Sequence, residues 1–600
     1  MSTLRQRFVS LVAILVVFAA LPLVALAGSE KRIGWIVIDG PIVEQPSPLA
    51  WLFGAEAQPT IRHMTAMIED AAERDDIPAL VIHLKDFQCN FSQVLALGAA
   101  MDDVRKAGKT VHVFSENYSP MELLLGASAD EIIMQTGGDV SFPGLYSEEM
   151  YLADTLSLVG LKADMVQIGD YKGAADQMSR SSASPEWSQN IDALLDDLWA
   201  QMGERLRKGR QLNSLQWQRV LDEGWSADAK QAEQLGLIDS DLDILDLKDH
   251  VAGQCGTDRI TLDLGPTSDE FQLDMNNPFA MMAMLMREPD HTPTRPTIAV
   301  VHIDGPIVDG DSSDGGMFGG ASVGSRTIRE ALKDIEDEDL IEGVVVRIDS
   351  PGGSAIASEI IWQGLRRLGE KKPVFISVGS MAASGGYYIA VGGDRIYVDP
   401  ASIVGSIGVV GGKIVTGGLF DKIKIGVTAR ARGPHAQLMS STRPWTDAER
   451  GLIRDEMTRT YNLFTSRVTQ GRGGNVDLTK IAEGRLFTGR QAIANGMADG
   501  IADFDETIGM LADKCGLEAG DYDVMTYPGP RSLVEILESM LPGGVRAPRI
   551  GAASPLINVE AIKSLVGEPA WEQIRDSLNA LMQLRDRHVL LIAPRAIVVK

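Results

Sequence analysis

The chain repeats itself once. Ile33-Gly-Trp-Ile-Val-Ile-Asp-Gly-Pro-Ile-Val43 returns as Ile298-Ala-Val-Val-His-Ile-Asp-Gly-Pro-Ile-Val308, at an offset of 265 residues. Ala79–Asp86 returns as Gly343–Ser350, and Ala129-Asp-Glu-Ile-Ile as Gly393-Asp-Arg-Ile-Tyr, both at 264. Solenoid units run to about 20–50 residues, so a period this long excludes one. It calls for two copies of one domain, as does a length of 600 residues, which exceeds what a single core holds together. Short β-branched runs alternate with helical periodicity in each copy, which makes the fold class α/β.

The second copy holds the stretch richest in chemistry. Val344–Ile348 and Val374–Val378 have the length and β-branched content of buried strands. Between them Ile356, Ile360, Ile361, Leu365 and Leu368 fall at helical spacing, giving a β-α-β unit. The second strand turns into the next helix at Ser384, followed by Gly385 and Gly386. A serine on such a turn projects its hydroxyl into a cleft, and Ala382, Ala383 and the glycines let a substrate backbone approach. Gly352 and Gly353, in Asp349-Ser-Pro-Gly-Gly-Ser354, can turn N–H groups toward a developing oxyanion, as can Gly385. A small-residue helix start packed on a sheet fits the turn equally well by itself. The upstream glycines at this spacing favour a nucleophile.

Asp349–Ser354, Gly379-Ser-Met-Ala-Ala-Ser-Gly-Gly-Tyr-Tyr388 and Ser402-Ile-Val-Gly-Ser-Ile-Gly408 together resemble signal peptide peptidase A. The similarity runs from about Gly34 to about Gly516 and matches the long, two-copy form of that family. It implies two tandem Clp-protease/crotonase-like domains and a Ser-Lys peptidase acting on cleaved signal peptides or similar apolar peptides. It also implies a homo-oligomer, a tetramer in the family.

The copies have diverged. In the first, the D-S-P-G-G-S position reads Lys85-Asp-Phe-Gln-Cys-Asn90; Ser384 maps to Pro120, give or take one residue, and Ser406 to Phe142. No nucleophile is expected there. The first copy instead carries Gly169-Asp-Tyr-Lys-Gly-Ala174, which resembles the family's general-base motif, although Gly173 stands where serine is more usual. Lys172 maps near Ala436, in a segment (Arg430–Gln437) without lysine. A free lysine, with a pKa near 10.4, cannot act as a base at neutral pH; burial lowers that value by disfavouring the ammonium. By resemblance Ser406 orients the lysine amine; it reads equally as a turn serine bonded to its own backbone. Tyr387 and Tyr388 read as helix-face packing. His435, a competing base on paper, has no Asp partner in a recognisable motif and reads as a loop residue. Lys172 and Ser384 are therefore expected within about 3 Å of each other across the boundary between the copies, inside one chain.

Arg5 and Arg7 precede an apolar run from Phe8 to Ala27, long enough to span a bilayer. It reads as a retained single-pass anchor, with cleavage after Ala27 as the alternative. The remainder then lies on the extracytoplasmic side, the periplasm for an inner-membrane protein. A net charge of −26 argues against a nucleic-acid partner. Three scattered cysteines without a C-x-x-C support neither a disulfide framework nor a thiolate zinc site, and no cofactor or metal is expected. The expected divisions are 1–28 anchor, 29–265 first copy, 266–297 linker, 298–526 second copy and 527–600 C-terminal extension. The linker contains a Met-rich helix, Asn277–Arg287, and Asp309–Gly324 reads as a loop flanking the cleft. In the extension Trp571–Arg585 reads as an amphipathic helix and Val589–Val599 as a docked strand. Two other functions stay open at this point. A silent peptide-binding scaffold needs no acylation of Ser384, and a crotonase-like acyl-CoA enzyme needs no Lys172.

Overall fold

The computed structural model describes residues 31–45, 58–256, 260–264, 291–313, 321–529 and 589–592. The expected anchor, the Met-rich linker helix and the Trp571–Arg585 helix lie outside the described residues, as does part of the Asp309–Gly324 loop. Among the described residues no helix is long and apolar enough to cross a membrane.

The first copy contributes β1 (Ile33–Pro41), β2 (Ala79–Gln88), β3 (Thr110–Ser115), β4 (Glu131–Gln135), β5 (Asp139–Val140), β6 (Lys162–Ile168), β7 (Ala227–Asp228), β8 (Ser240–Leu242) and β9 (Thr261–Asp263). The second contributes β10 (Thr297–Asp304), β11 (Ile307–Val308), β12 (Val323–Gly324), β13 (Ile341–Ser350), β14 (Gly352–Ser354), β15 (Val374–Ala383), β16 (Arg395–Val398), β17 (Ile403–Gly405), β18 (Val409–Val415), β19 (Leu486–Thr488), β20 (Gly500–Ile501) and β21 (Asp523–Tyr527). β22 (Val589–Ile592) follows far along the chain.

The repeat seen in the sequence reappears as matching topology. The first copy builds a parallel sheet in the order β8-β4-β3-β2-β1-β9, and the second builds β20-β16-β15-β13-β10-β21, strand for strand. Both central strands are buried along most of their length, β2 from Ala79 to Leu84 and β13 from Gly343 to Ile348, as parallel strands covered on both faces must be. A third sheet, in the order β12-β11-β14-β22-β18-β6, combines strands of both copies. Its cross-copy seam is β6 against β18, antiparallel from Ile168↔Val409 to Lys162↔Val415.

The helices repeat too. α1 (Ile61–Glu73), α2 (Phe91–Lys106), α3 (Pro120–Gly126) and α4 (Pro185–Gly209) have counterparts in α5 (Ser325–Asp337), α6 (Ala355–Leu368), α7 (Gly385–Ala390) and α8 (Asp447–Gly471). α4 and α8 are both 25 residues long, and each starts under a side-chain cap, Ser184 or Thr446. α9 (Phe504–Cys515) closes the second copy against β13 and β15. In α6 the buried stripe is Ile361, Leu365 and Leu368, as the spacing predicts; Ile356 departs from it, being 51% exposed on the opening turn.

Candidate active site

β15 runs out of the core at Ala382 and Ala383, and the chain turns sharply into α7 with Ser384 as the cap residue. Ser384 has φ 54° and ψ −111°, a backbone region costly for a residue with a Cβ and held only where surroundings impose it. Its N–H donates to the Gly405 carbonyl at 2.7 Å, and its own carbonyl accepts from Tyr388 at 2.9 Å. Ser406, just beyond β17, is also at positive φ, 52°, with its N–H donated to the Arg485 carbonyl at 2.6 Å.

Lys172 reaches this corner from the other copy. β6 carries the chain along β18, and Gly169-Asp-Tyr-Lys172 then turns across its end. The Lys172 Nζ stands 2.7 Å from Ser384 Oγ. It donates to the Ser406 carbonyl at 2.9 Å and to Ser406 Oγ at 2.8 Å. Lys172 and Ser384 are fully buried and Ser406 nearly so. Burial, with no carboxylate to offset it, pushes the lysine well below its ordinary value of 10.5. A neutral amine has two hydrogens and one lone pair. With both hydrogens taken by Ser406, the lone pair is left to accept from the Ser384 hydroxyl.

A loop of the second copy clamps the lysine. Gly484, at φ 86°, lies so close that a Cβ there would sit 2.6 Å from the Lys172 backbone nitrogen. Tyr171 donates its N–H to the Glu483 carbonyl at 2.9 Å, and the Arg485 guanidinium lies 3.9 Å from the centre of the Tyr171 ring. Asn190 of α4 ties in β19 through two bonds to the Leu486 backbone, at 2.8 and 3.0 Å. The glycine at 173 has a packing reason: a Cβ there would run into the Trp187 indole.

The three glycines singled out from the sequence do not behave alike. Gly385 lies against the Gly352-Gly353 backbone; a Cβ on it would sit 2.6 Å from Ser358 Oγ and 3.2 Å from the Gly353 nitrogen. The Gly352 N–H, by contrast, donates to Ser350 Oγ at 3.1 Å, so it is not free for an oxyanion, and its φ of 99° explains the glycine. Tyr387 and Tyr388 are buried packing residues, their hydroxyls on the Met497 carbonyl and Glu359. His435 is exposed on a loop.

Trp187 and the Glu483–Arg485 clamp carried no sequence signal, and Ser350 stood inside the Asp349–Ser354 motif without a role being read for it. One omission was legible. At an offset of 265 rather than 264, Ser384 matches Ser119, and Ser119 is indeed the cap of α3. It is exposed, at an ordinary φ of −80°, and joined to Glu122 in a capping box, which makes it a helix cap in a relaxed backbone. No group of three or more His, Cys, Asp or Glu that could hold a metal occurs among the described residues.

A model of peptidase family S49 matches the chain at residues 103–253 and 366–518, about half of its length and once in each copy. The chain belongs to peptidase family S49. Its resemblance to signal peptide peptidase A is thereby borne out, and it is a serine peptidase. This S49 chain is similar to a protein named Protease 4 from Haemophilus influenzae, 28% identical over 74% of the chain and 71% of the relative. The protein of the same name from Salmonella typhi is 26% identical over 85% and 82%. A chloroplastic serine protease of Arabidopsis thaliana is 25% identical over 74% and 64%.

Proposed function

We propose that the protein is a membrane-anchored endopeptidase with a Ser-Lys dyad built from both copies. Ser384 is the nucleophile, Lys172 the general base, and Ser406 the group that orients the amine. The N–H groups of Gly353 and Gly385 form the oxyanion hole. What supports this reading is the fully buried Lys172 Nζ, 2.7 Å from Ser384 Oγ and otherwise bonded to Ser406. In acylation the Ser384 oxygen attacks the peptide carbonyl while its proton passes to Nζ. The resulting ammonium protonates the departing amine, and water repeats the sequence on the acyl-enzyme.

The substrates proposed are cleaved signal peptides or similar apolar peptides. The fold is assigned to tandem Clp-protease/crotonase-like domains, 29–265 and 298–526. The Phe8–Ala27 run is the proposed inner-membrane anchor, with the bulk of the chain in the periplasm as a homo-oligomer, a tetramer by family likeness. Nothing in the site calls for coenzyme A, and a silent scaffold has no use for a buried lysine at this cost in desolvation.

A serine-directed phosphonate probe followed by mass spectrometry tests the class. An adduct on Ser384 is expected, absent in Ser384→Ala and strongly slowed in Lys172→Ala. Activity on apolar peptides should fall on the order of 10^4-fold in either variant without loss of fold. Substantial turnover by Lys172→Ala would sink the dyad. Since the base must be neutral, kcat/KM should rise with pH as Lys172 loses its proton.

A further inference from the structure

The motif Ile-Asp-Gly-Pro-Ile-Val occurs in both copies but serves the site in only one. In the second copy it runs from the end of β10 through β11 to Asp309, and three contacts fasten β14 along it. Ser350 Oγ, fully buried, donates to the Gly305 carbonyl at 2.7 Å and accepts from the Gly352 N–H at 3.1 Å. Gly353 pairs with Ile307, so closely that a Cβ on it would sit 2.0 Å from the Ile307 oxygen. Ser354 Oγ, buried at the far end of the strand, donates to Asp309 Oδ1 at 2.6 Å. A hydroxyl bonded to a carboxylate makes one of the stronger hydrogen bonds open to a side chain.

The first copy, which has a relaxed helix cap where the second has Ser384, keeps the motif and lacks the fastening. At the offset of 264 Ser350 becomes Asp86 and Ser354 becomes Asn90; at 265 Asp309 becomes Glu44. Asn90 caps α2 by accepting from the Gln93 N–H at 3.0 Å, and Glu44 bonds out of its own copy to Arg347. Ser354 caps α6 in the same way, accepting from the Ala357 N–H at 3.3 Å. The cap is therefore common to both copies, and the bond to an acid belongs to the copy with the nucleophile. We infer that Asp309 is a positioning residue of the peptidase: through Ser354 it holds the Gly353 N–H at the oxyanion hole, while Ser350 holds the preceding peptide from the other end. The inference rests on the oxyanion hole proposed above. β14 is only three residues long, and a hole works by having its donors fixed before charge develops. A displacement of about 1 Å there costs on the order of 100-fold in rate.

The test uses full-length protein. Asp309→Ala should lower kcat for an apolar peptide about 10–100-fold and move KM by less than about twofold, because the donor it positions meets charge only in the transition state. A peptide aldehyde, which adds to Ser384 Oγ and leaves its oxygen in the hole, should bind more weakly by a similar factor. Asp309→Asn, whose amide oxygen still accepts from Ser354, should recover most of the lost kcat. The rise of activity with pH should keep its position, since Lys172 is untouched. Asp309→Ala combined with Ser354→Ala should lose no more kcat than the worse single variant, both having removed one bond. Ser350→Ala approaches the same strand from its other end and should lower kcat and aldehyde affinity together, whether or not Asp309→Ala folds well. Parent-like kcat in the folded variants, a loss confined to KM, no rescue by asparagine or a displaced pH profile would overturn the inference. Failure of Ser384 in the parent protein to take the phosphonate would instead overturn the peptidase reading.

Discussion

Two serines at positive φ meet one lysine, and the cost of that arrangement is concentrated in a few residues. Ser406 offers Lys172 both a carbonyl and a hydroxyl. Ser406→Ala keeps the first and removes the second. We expect kcat to fall about 10–100-fold, less than for Lys172→Ala, with the pH profile displaced; a variant as active as the parent would return Ser406 to the role of a turn residue. Lys172 also couples folding to pH. Burial holds its folded-state value well below 10.5, so between the two values the unfolded chain binds the extra proton and stability rises with pH. Denaturant titrations should show the parent gaining on Lys172→Met as pH climbs from the folded-state value toward 10.5, and a constant difference would contradict the burial argument. Gly173→Ser restores the residue more usual in the family, yet it pushes a side chain into Trp187 and should cost roughly 1–3 kcal/mol.

At the level of elements, the site depends on how β6, α4 and the Glu483–Leu486 stretch are joined. Asn190 both donates to and accepts from Leu486 in a buried setting. Asn190→Leu leaves two backbone groups without partners and should cost about 1–3 kcal/mol per group, read as a lower denaturation midpoint and a lower kcat, since β19 is continuous with the loop on Lys172. What the sequence disclosed follows from the range of its signals. β13, α6 and β15 were visible because periodicity is local: the two strands are buried along most of their length, and the helix carries a buried apolar stripe. The Ser384 corner and Lys172 were visible because their neighbours are small residues in short motifs. The pairing of β6 with β18 was not, because two strands 241 residues apart in register share no local pattern, as Ile168 and Val409 illustrate. Gly352 was assigned to the oxyanion hole because a glycine's freedom can be read from sequence, whereas the direction of its N–H, fixed by Ser350, cannot. Ser119 slipped past because a one-residue change in offset separates a proline from a cap.

For the molecule as a whole, each copy folds around its own sheet, but the site belongs to neither. Beyond the lysine loop, the copies are joined by a buried pair, Arg347 Nε to Glu44 Oε2 at 2.9 Å, with both side chains 5% exposed. Removing the arginine alone should be far worse than removing both. Arg347→Met should cost about 3–5 kcal/mol, and Arg347→Met with Glu44→Leu should recover most of it. Because Lys172 and Ser384 meet inside one chain, mixed assemblies of full-length Ser384→Ala and Lys172→Ala should regain no activity. Recovery of a sizeable fraction would place the working dyad between chains. The same separation bears on how the protein is made. The lysine leaves the ribosome 212 residues before the serine, an interval of about 10–40 s at ordinary elongation rates, and the Gly484 clamp emerges later still. On the dyad proposed above, a nascent chain spends most of its synthesis as a harmless half-enzyme, and an aborted product that stops short of the second copy lacks the nucleophile.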